Sequence, residues 1–152
     1  MDLSAKRREE AADALQKVLA TTYALYLKSQ NFHWNLRGPE FIALHLLFEK
    51  QYEELAEAVD EIAERIVSLG YPAEGGFAAF AKLSLIKDAK HKIAFKKMIE
   101  ELLDGHETIS KMMRPMIPEL QELTDEASAD LLIKRLGVHE KAAWMLRSHL
   151  KA

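Results

Sequence analysis

The sequence predicts an all-α fold: four long amphipathic helices, with a short helix in a long crossover between the second and the third. Three observations carry this. Apolar residues recur at three- and four-residue steps through four segments, each bounded by capping or helix-breaking residues. No run alternates apolar and polar residues as a half-buried strand does, and no Asn-Gly hairpin signal or internal repeat appears. Finally, 152 residues with 49% apolar content supply the core of one domain spanning residues 1–152.

From about Ser4 to Asn35 the residues Ala12, Leu15, Val18, Leu19, Thr22, Leu25 and Tyr26 mark the first helix, which Gly38-Pro39 ends. Proline suits a first helical turn, so the second helix starts near Glu40. Its stripe of Leu44, Leu47, Phe48, Leu55, Val59, Ile62, Ile66 and Leu69 stops at Gly70, with Pro72 beyond. The segment Tyr71 to Leu85 contains Gly75-Gly76 and then Phe77-Ala78-Ala79-Phe80, a connection holding a short apolar helix. A third helix begins at or after Asp88 and runs through Ile93, Met98, Ile99, Leu102, Leu103, Ile109, Met112 and Met113. Interior proline removes a backbone hydrogen bond and clashes with the preceding turn, so Pro115 and Pro118 predict a kink or an early end near Arg114. Thr124-Asp125 is an N-cap signal for a fourth helix through Leu131, Leu132, Leu136, Val138, Ala142, Met145 and Leu146 to about His149, locally weakened by Gly137. Four long helices with a crossover between the second and third give a ferritin-like bundle.

Composition excludes several classes of function. There is no apolar run of transmembrane length, and Met1-Asp2-Leu3-Ser4 lacks the order of a signal peptide, so a cytoplasmic location is expected. The absence of cysteine rules out disulfides, thiolate metal sites and cysteine nucleophiles, and removes the side chain most easily damaged by peroxide. With 24 acidic residues against 21 Lys and Arg, the formal charge of −3 carries no overall basic surplus for nucleic acid. Any DNA binding needs a local patch.

The chemistry-bearing residues concentrate between His33 and Glu64. His45 and Glu49 are one turn apart, as are Asp60 and Glu64, and Glu49 to Asp60 is close to three full turns. All four fall within an arc of about 100° on one helix, and imidazole with carboxylate suits a divalent metal such as iron or manganese. Yet the two pairs lie roughly 16 Å apart along the axis, too far for one ion to touch both within one chain. A two-fold axis near Glu54 and Leu55 resolves this, because antiparallel pairing sets Asp60 and Glu64 beside the partner copy's equivalents of Glu49 and His45. A solvated acidic face would carry much the same residues. Against that reading, Asp60 is a poor helix former standing between Val59 and Ile62 near the apolar stripe. No histidine has Glu three positions before it, which disfavours the usual di-iron site within one chain. His106-Glu107 and His139-Glu140 begin a zincin motif that neither completes, so His106 and His139 are taken as structural and His91 and His149 as exposed. A phosphate-binding glycine loop and a Gly-x-Ser-x-Gly elbow are also absent.

The run Asn31-Phe32-His33-Trp34-Asn35-Leu36-Arg37-Gly38-Pro39, followed by Phe41, His45, Phe48, Tyr52, Asp60, Ile62, Ala63, Glu64, Arg65 and Leu69-Gly70, closely resembles the Dps family of miniferritins. Glu140-Lys141 and Ala143-Trp144-Met145-Leu146 resemble the family's last helix, so the likeness covers nearly the whole chain. The resemblance implies a hollow homo-dodecamer with ferroxidase centres at two-fold interfaces. It also implies oxidation of Fe(II), preferentially with hydrogen peroxide, and storage of Fe(III) mineral inside. His33 and His45 match the histidine ligands of one subunit, and Asp60 and Glu64 match the carboxylates of its partner. Glu49 stands where many members have aspartate; its extra methylene leaves direct ligation, a bridging water and outer support all open. Trp34 resembles the family tryptophan near the centre, which donates or traps an oxidising equivalent; packing across the dimer interface explains it equally well.

Carboxylates favour the harder Fe(III) product, while imidazole holds Fe(II) beforehand. Two irons supply both electrons to peroxide, which then leaves as water rather than as hydroxyl radical. Asp125, Glu126 and Asp130 resemble the acidic residues around the family's three-fold pores, although acids in a first helical turn are favoured by the helix dipole alone. At the N-terminus only Lys6, Arg7 and Arg8 precede Glu9-Glu10, and the chain ends at Lys151-Ala152, so the termini offer at most a weak DNA tether strengthened by avidity. Two rivals remain: a non-enzymatic, nucleoid-compacting DNA-binding shell, and an assembly whose interface metal is zinc or manganese and serves structure.

Overall fold

The computed structural model describes residues 1–150, and all regular structure among them is helical. The helices are α1 (Ala5–Asn35), α2 (Phe41–Ser68), α3 (Phe77–Leu83), α4 (Phe95–Glu122) and α5 (Glu126–Arg147). Four are long, and the seven-residue α3 sits in the crossover between α2 and α4, as the sequence predicts. None of these helices is long and apolar enough to cross a membrane.

Local chemistry sets the ends. Ser4 caps α1 by accepting from the Arg7 amide at 3.3 Å, and Asp125 caps α5 by accepting from the Ser128 amide at 3.1 Å. The helices α1 and α2 form one hairpin through the turn at Leu36–Glu40, and α4 and α5 form another through Leu123–Asp125. Their shared core runs through Leu15, Val18, Leu25 and Phe32 of α1, Leu44, Phe48, Leu55 and Ile62 of α2, Leu102 and Ile109 of α4, and Leu132 and Leu146 of α5. Buried hydroxyls on α1 are satisfied locally: Thr22 and Ser29 donate to the carbonyls of Val18 and Leu25 one turn back, at 2.6 and 2.8 Å. Gly105 lets α4 close onto α1, since a Cβ there would stand 2.6 Å from Leu25 Cδ1. On the outside of this pair, α3 is pinned by Phe80, whose ring lies 4.8 Å from that of Tyr23.

The early end that the prolines allowed near Arg114 does not occur: α4 continues through Pro115 and Pro118 to Glu122. Each proline removes one bond, to the carbonyls of Lys111 and Arg114 respectively. Both prolines and both of those residues are exposed, so water reaches the freed carbonyls. Meanwhile Met113 and Leu120 are buried on the opposite side and hold the helix to the core. Tertiary packing outweighs the local penalty.

Candidate metal site on the α1–α2 hairpin

The hairpin turn brings His33, near the end of α1, against His45, one turn into α2. His33 Nδ1 lies 2.8 Å from the His45 carbonyl, and His45 Nδ1 lies 2.9 Å from the His33 carbonyl. A carbonyl oxygen only accepts, so each Nδ1 carries the proton and, in the neutral ring, each Nε2 keeps a lone pair. The two rings stack at 3.7 Å with 13° between planes. Phe41 stacks on His45 at 4.7 Å, and Tyr52 meets His33 edge-on at 5.2 Å. Reciprocal hydrogen bonds and packing thus fix both imidazoles before any ion arrives, which is how outer contacts prepare metal-ligating histidines. The donor set suits an intermediate divalent cation.

Tyr52 is the residue the sequence reading passed over as a site member. It lies seven positions after His45 and three after Glu49, on the same face of α2, so spacing alone was enough to find it. Burial pushes its hydroxyl above the usual phenol range, and the neighbouring Glu49 and Glu53 carboxylates push it further, so it stays protonated.

The carboxylates stand differently. Glu49 is half-buried, whereas Asp60 and Glu64 are exposed farther along α2. Since α2 is continuous from Phe41 to Ser68, His45 and Asp60 are separated by roughly 22 Å of helix. Among the described residues no three His, Asp or Glu side chains come together closely enough to hold a metal ion. One chain therefore offers an imidazole pair at one end of α2 and a carboxylate pair at the other.

Of the acidic trio at the start of α5, Asp125 is buried. Its carboxylate caps the helix and accepts from Arg65 at 2.7 Å, while Arg65 Nε donates to Ser128 at 2.9 Å, tying α5 to α2. Glu126 and Asp130 are exposed.

Trp34 is 62% exposed. It lines an open cleft of about 850 Å³ between the end of α1 and the start of α4, with Arg37, Lys90, His91, Lys92 and Phe95. Lys87, Lys96 and Lys97 flank the same segment, and all five lysines are exposed. This basic patch lay within eleven consecutive residues, 87–97, and was legible in the sequence.

Comparison with known proteins agrees with this architecture. Residues 12–152 match the family model of the ferritin-like domain. A DNA protection during starvation protein 2 from Bacillus anthracis is 33% identical over 142 residues, covering 93% of this chain and 97% of that protein. Among solved structures, the Dps protein of Vibrio cholerae superposes with a TM-score of 0.94 at 31% identity, covering 98% of this chain and 94% of that one. That protein is described as a member of a broad superfamily of ferritin-like diiron-carboxylate proteins. DpsC from Streptomyces coelicolor superposes with a TM-score of 0.97 at 31% identity, covering 100% of this chain and 90% of that one. The chain belongs to the Dps family of ferritin-like proteins.

Proposed function

We propose that this protein oxidises Fe(II) to Fe(III) at centres shared between two subunits, stores the product as mineral inside a hollow dodecameric shell, and so protects DNA. Hydrogen peroxide is the preferred oxidant: two Fe(II) give up one electron each, and peroxide takes both with two protons to leave as two waters. One observation carries the reading. The imidazoles of His33 and His45 are locked by each other's carbonyls, which leaves both Nε2 atoms free to receive an ion. The carboxylates of Asp60 and Glu64, exposed on the far half of α2, complete the centre when a second copy pairs antiparallel about Glu54 and Leu55. Glu49, half-buried beside Tyr52, supports it directly or through water. Trp34 is the candidate electron donor. Glu126 and Asp130 are the candidates for a cation path into the shell, with Asp125 anchoring the helix that bears them.

The test mixes metal-free protein with Fe(II) without oxygen, adds peroxide, and follows Fe(III) in the wild type and in a His33→Ala, Asp60→Ala double variant. Rapid oxidation with soluble core growth in the wild type alone supports the ferroxidase. Equal, protein-independent rates overturn it.

A second reading rests on the lysine patch beside Trp34 and Arg37. Five exposed lysines, three in the connection before α4 and two in its first turn, supply the local positive field that the overall charge does not, and suit the phosphate backbone of DNA. Replacing Lys90, Lys92, Lys96 and Lys97 by Glu is expected to remove DNA retention while leaving iron oxidation intact. Retention that persists would move the contact elsewhere on the shell.

A further inference from the structure

Two groups of side chains stand outside the candidate ligand set. The first is closed. His106 of α4 and His139 of α5 are buried with their Nδ1 atoms 2.9 Å apart. Arg135, itself buried, approaches His139 Nε2 at 3.1 Å and forms a two-pronged pair with Glu54 of α2. A guanidinium only donates, so His139 Nε2 accepts and its Nδ1–H is given to His106 Nδ1. The neutral His106 ring then carries its own proton on Nε2, which is buried and unpartnered. This cluster is a sealed polar link between helices.

The second group runs outward from the metal site. Tyr52 of α2 meets the His33 ring edge-on at 5.2 Å, Tyr26 of α1 lies 6.0 Å from Tyr52, and Tyr23 lies 5.5 Å from Tyr26. Rings at centroid spacings of about 4.5 to 7 Å are in contact, so the three phenols form an unbroken line from one candidate ligand. Tyr23 precedes His33 by about 15 Å along the axis of α1. It lines an open cleft of about 250 Å³ beside α3.

Packing alone does not ask for phenols here. Tyr71 spends its hydroxyl on the Ala5 carbonyl at 2.9 Å, whereas those of Tyr23, Tyr26 and Tyr52 bond to no protein group among the described residues. Phenylalanine would fill the same half-buried places. What a phenol adds is the capacity to give up one electron and one proton and become a neutral radical. Three of the chain's four tyrosines stand on this line.

Such a group is needed when peroxide meets a centre that holds a single Fe(II), because one electron alone would release a hydroxyl radical. We propose that Tyr52 supplies the second electron at a half-filled centre, and that Tyr26 and Tyr23 pass the resulting radical away from it. The relay rests on the ferroxidase reading. The iron and the Tyr52 phenol give one electron each, and the O–O bond breaks. The phenol proton and one from solvent join the two oxygens, so the products are two waters, Fe(III) and a neutral tyrosyl radical. In each later hop the radical regains an electron and a proton while the next phenol loses one of each.

The test uses the assembled, full-length Trp34→Phe protein, which removes the indole beside His33. It receives substoichiometric Fe(II) without oxygen, then peroxide, and is frozen for electron paramagnetic resonance. Ring-deuterated tyrosine identifies the radical, and peptide mass spectrometry locates oxidised tyrosine. The expected result is a tyrosyl radical and oxidised Tyr23, both falling per Fe(III) formed as the centres fill with iron pairs. Tyr52→Phe should lose both signals. Tyr26→Phe should keep the radical and leave Tyr23 unmodified, so a folding defect in one variant leaves the other to decide. Fe(III) formed without a tyrosyl radical, a radical that survives Tyr52→Phe, or Tyr23 oxidised equally in Tyr26→Phe would overturn the relay alone. Protein-independent formation of Fe(III) would overturn it together with the ferroxidase reading.

Discussion

The two hairpins each carry a histidine pair, and the pairs are built for opposite ends. On α1–α2, both Nδ1 atoms are spent on backbone carbonyls, so both Nε2 atoms keep their lone pairs. On α4–α5, the rings bond to each other and to Arg135, and the one nitrogen left over is a donor. The same side chain is left with a free acceptor nitrogen in one place, as the proposed metal site requires, and serves as a polar link in the other, according to which nitrogen the surroundings occupy. The first pair stands apart from the carboxylates of its own chain; the second is tied to Arg135 and Glu54 within it.

The largest effect that would break this comparison is on iron chemistry. His45→Ala removes one of the two lone pairs and one of the two carbonyl locks, and is expected to bring peroxide-dependent Fe(II) oxidation down to the protein-independent rate. Stability should change only modestly. His106→Phe should do the reverse, keeping the oxidation rate per folded chain and lowering stability. Stopped-flow oxidation beside urea unfolding of the two variants decides. If His106→Phe abolished oxidation in a fully folded shell, the division of labour would be wrong.

Next comes the charge in the closed pair. Arg135 is buried and Glu54 is its only carboxylate partner among the described residues, so Glu54→Ala strands a guanidinium and should cost about 3 kcal/mol, read from the urea midpoint at fixed protein concentration. A loss well under 1 kcal/mol would mean that water takes over the role of Glu54. Because Glu54 sits near the proposed dyad, the same variant should be checked for assembly.

Acid provides a smaller perturbation with a definite sign. His106 is held down to about 3 in the folded chain, against about 6.5 when unfolded. Between those values the unfolded state binds more protons, so stability is full above about 6.5 and falls as the pH drops toward 3. The loss attributable to His106 is about 2 kcal/mol between pH 7 and pH 5. His139 is shifted the same way and adds to it. Unfolding curves at the two pH values should show the difference shrinking in His106→Phe. An unchanged difference would place the acid sensitivity elsewhere.

The contrast between the pairs also marks how far the sequence could be read. Helix stripes, the Asp125 cap and the crossover were legible because each rests on neighbours in the chain. The candidate metal residues were legible as candidates because α2 carries four of them at helical spacing. The course of α4 past Pro115 was not, because what sustains it is Met113 and Leu120 against a core assembled from distant segments. His106 and His139 could be called structural, yet their link to Arg135 and Glu54 spans three helices and leaves no local signature. Tyr52 and the lysines of 87–97 were readable and were passed over.

The smallest effect sharpens the comparison at the ends of α2 and α4, which stop in the same way. At the first, Gly70 donates to the Val67 carbonyl at 2.9 Å and Tyr71 to that of Ile66 at 3.5 Å; at the second, Thr124 donates to Gln121 at 2.9 Å and Asp125 to Leu120 at 3.0 Å. Both are Schellman turns, which need a left-handed residue just after the helix. Gly70 takes φ +97° without penalty, whereas the β-branched Thr124 is held at φ +61°. Thr124 returns only an exposed hydrogen bond from Arg7, at 3.0 Å. Thr124→Gly relieves the strain but gives the unfolded chain more freedom, so the net expectation is a gain of about 0.5 kcal/mol. Gly70→Ala should lose about 1 to 2 kcal/mol, since its Cβ would also stand 2.8 Å from Arg8 Nη1. Neither change touches a histidine, so thermal unfolding should shift in opposite directions while oxidation rates stay equal. A destabilised Thr124→Gly would mean that the Arg7 contact outweighs the backbone strain, and that the α4–α5 turn is held from α1 rather than by its own geometry.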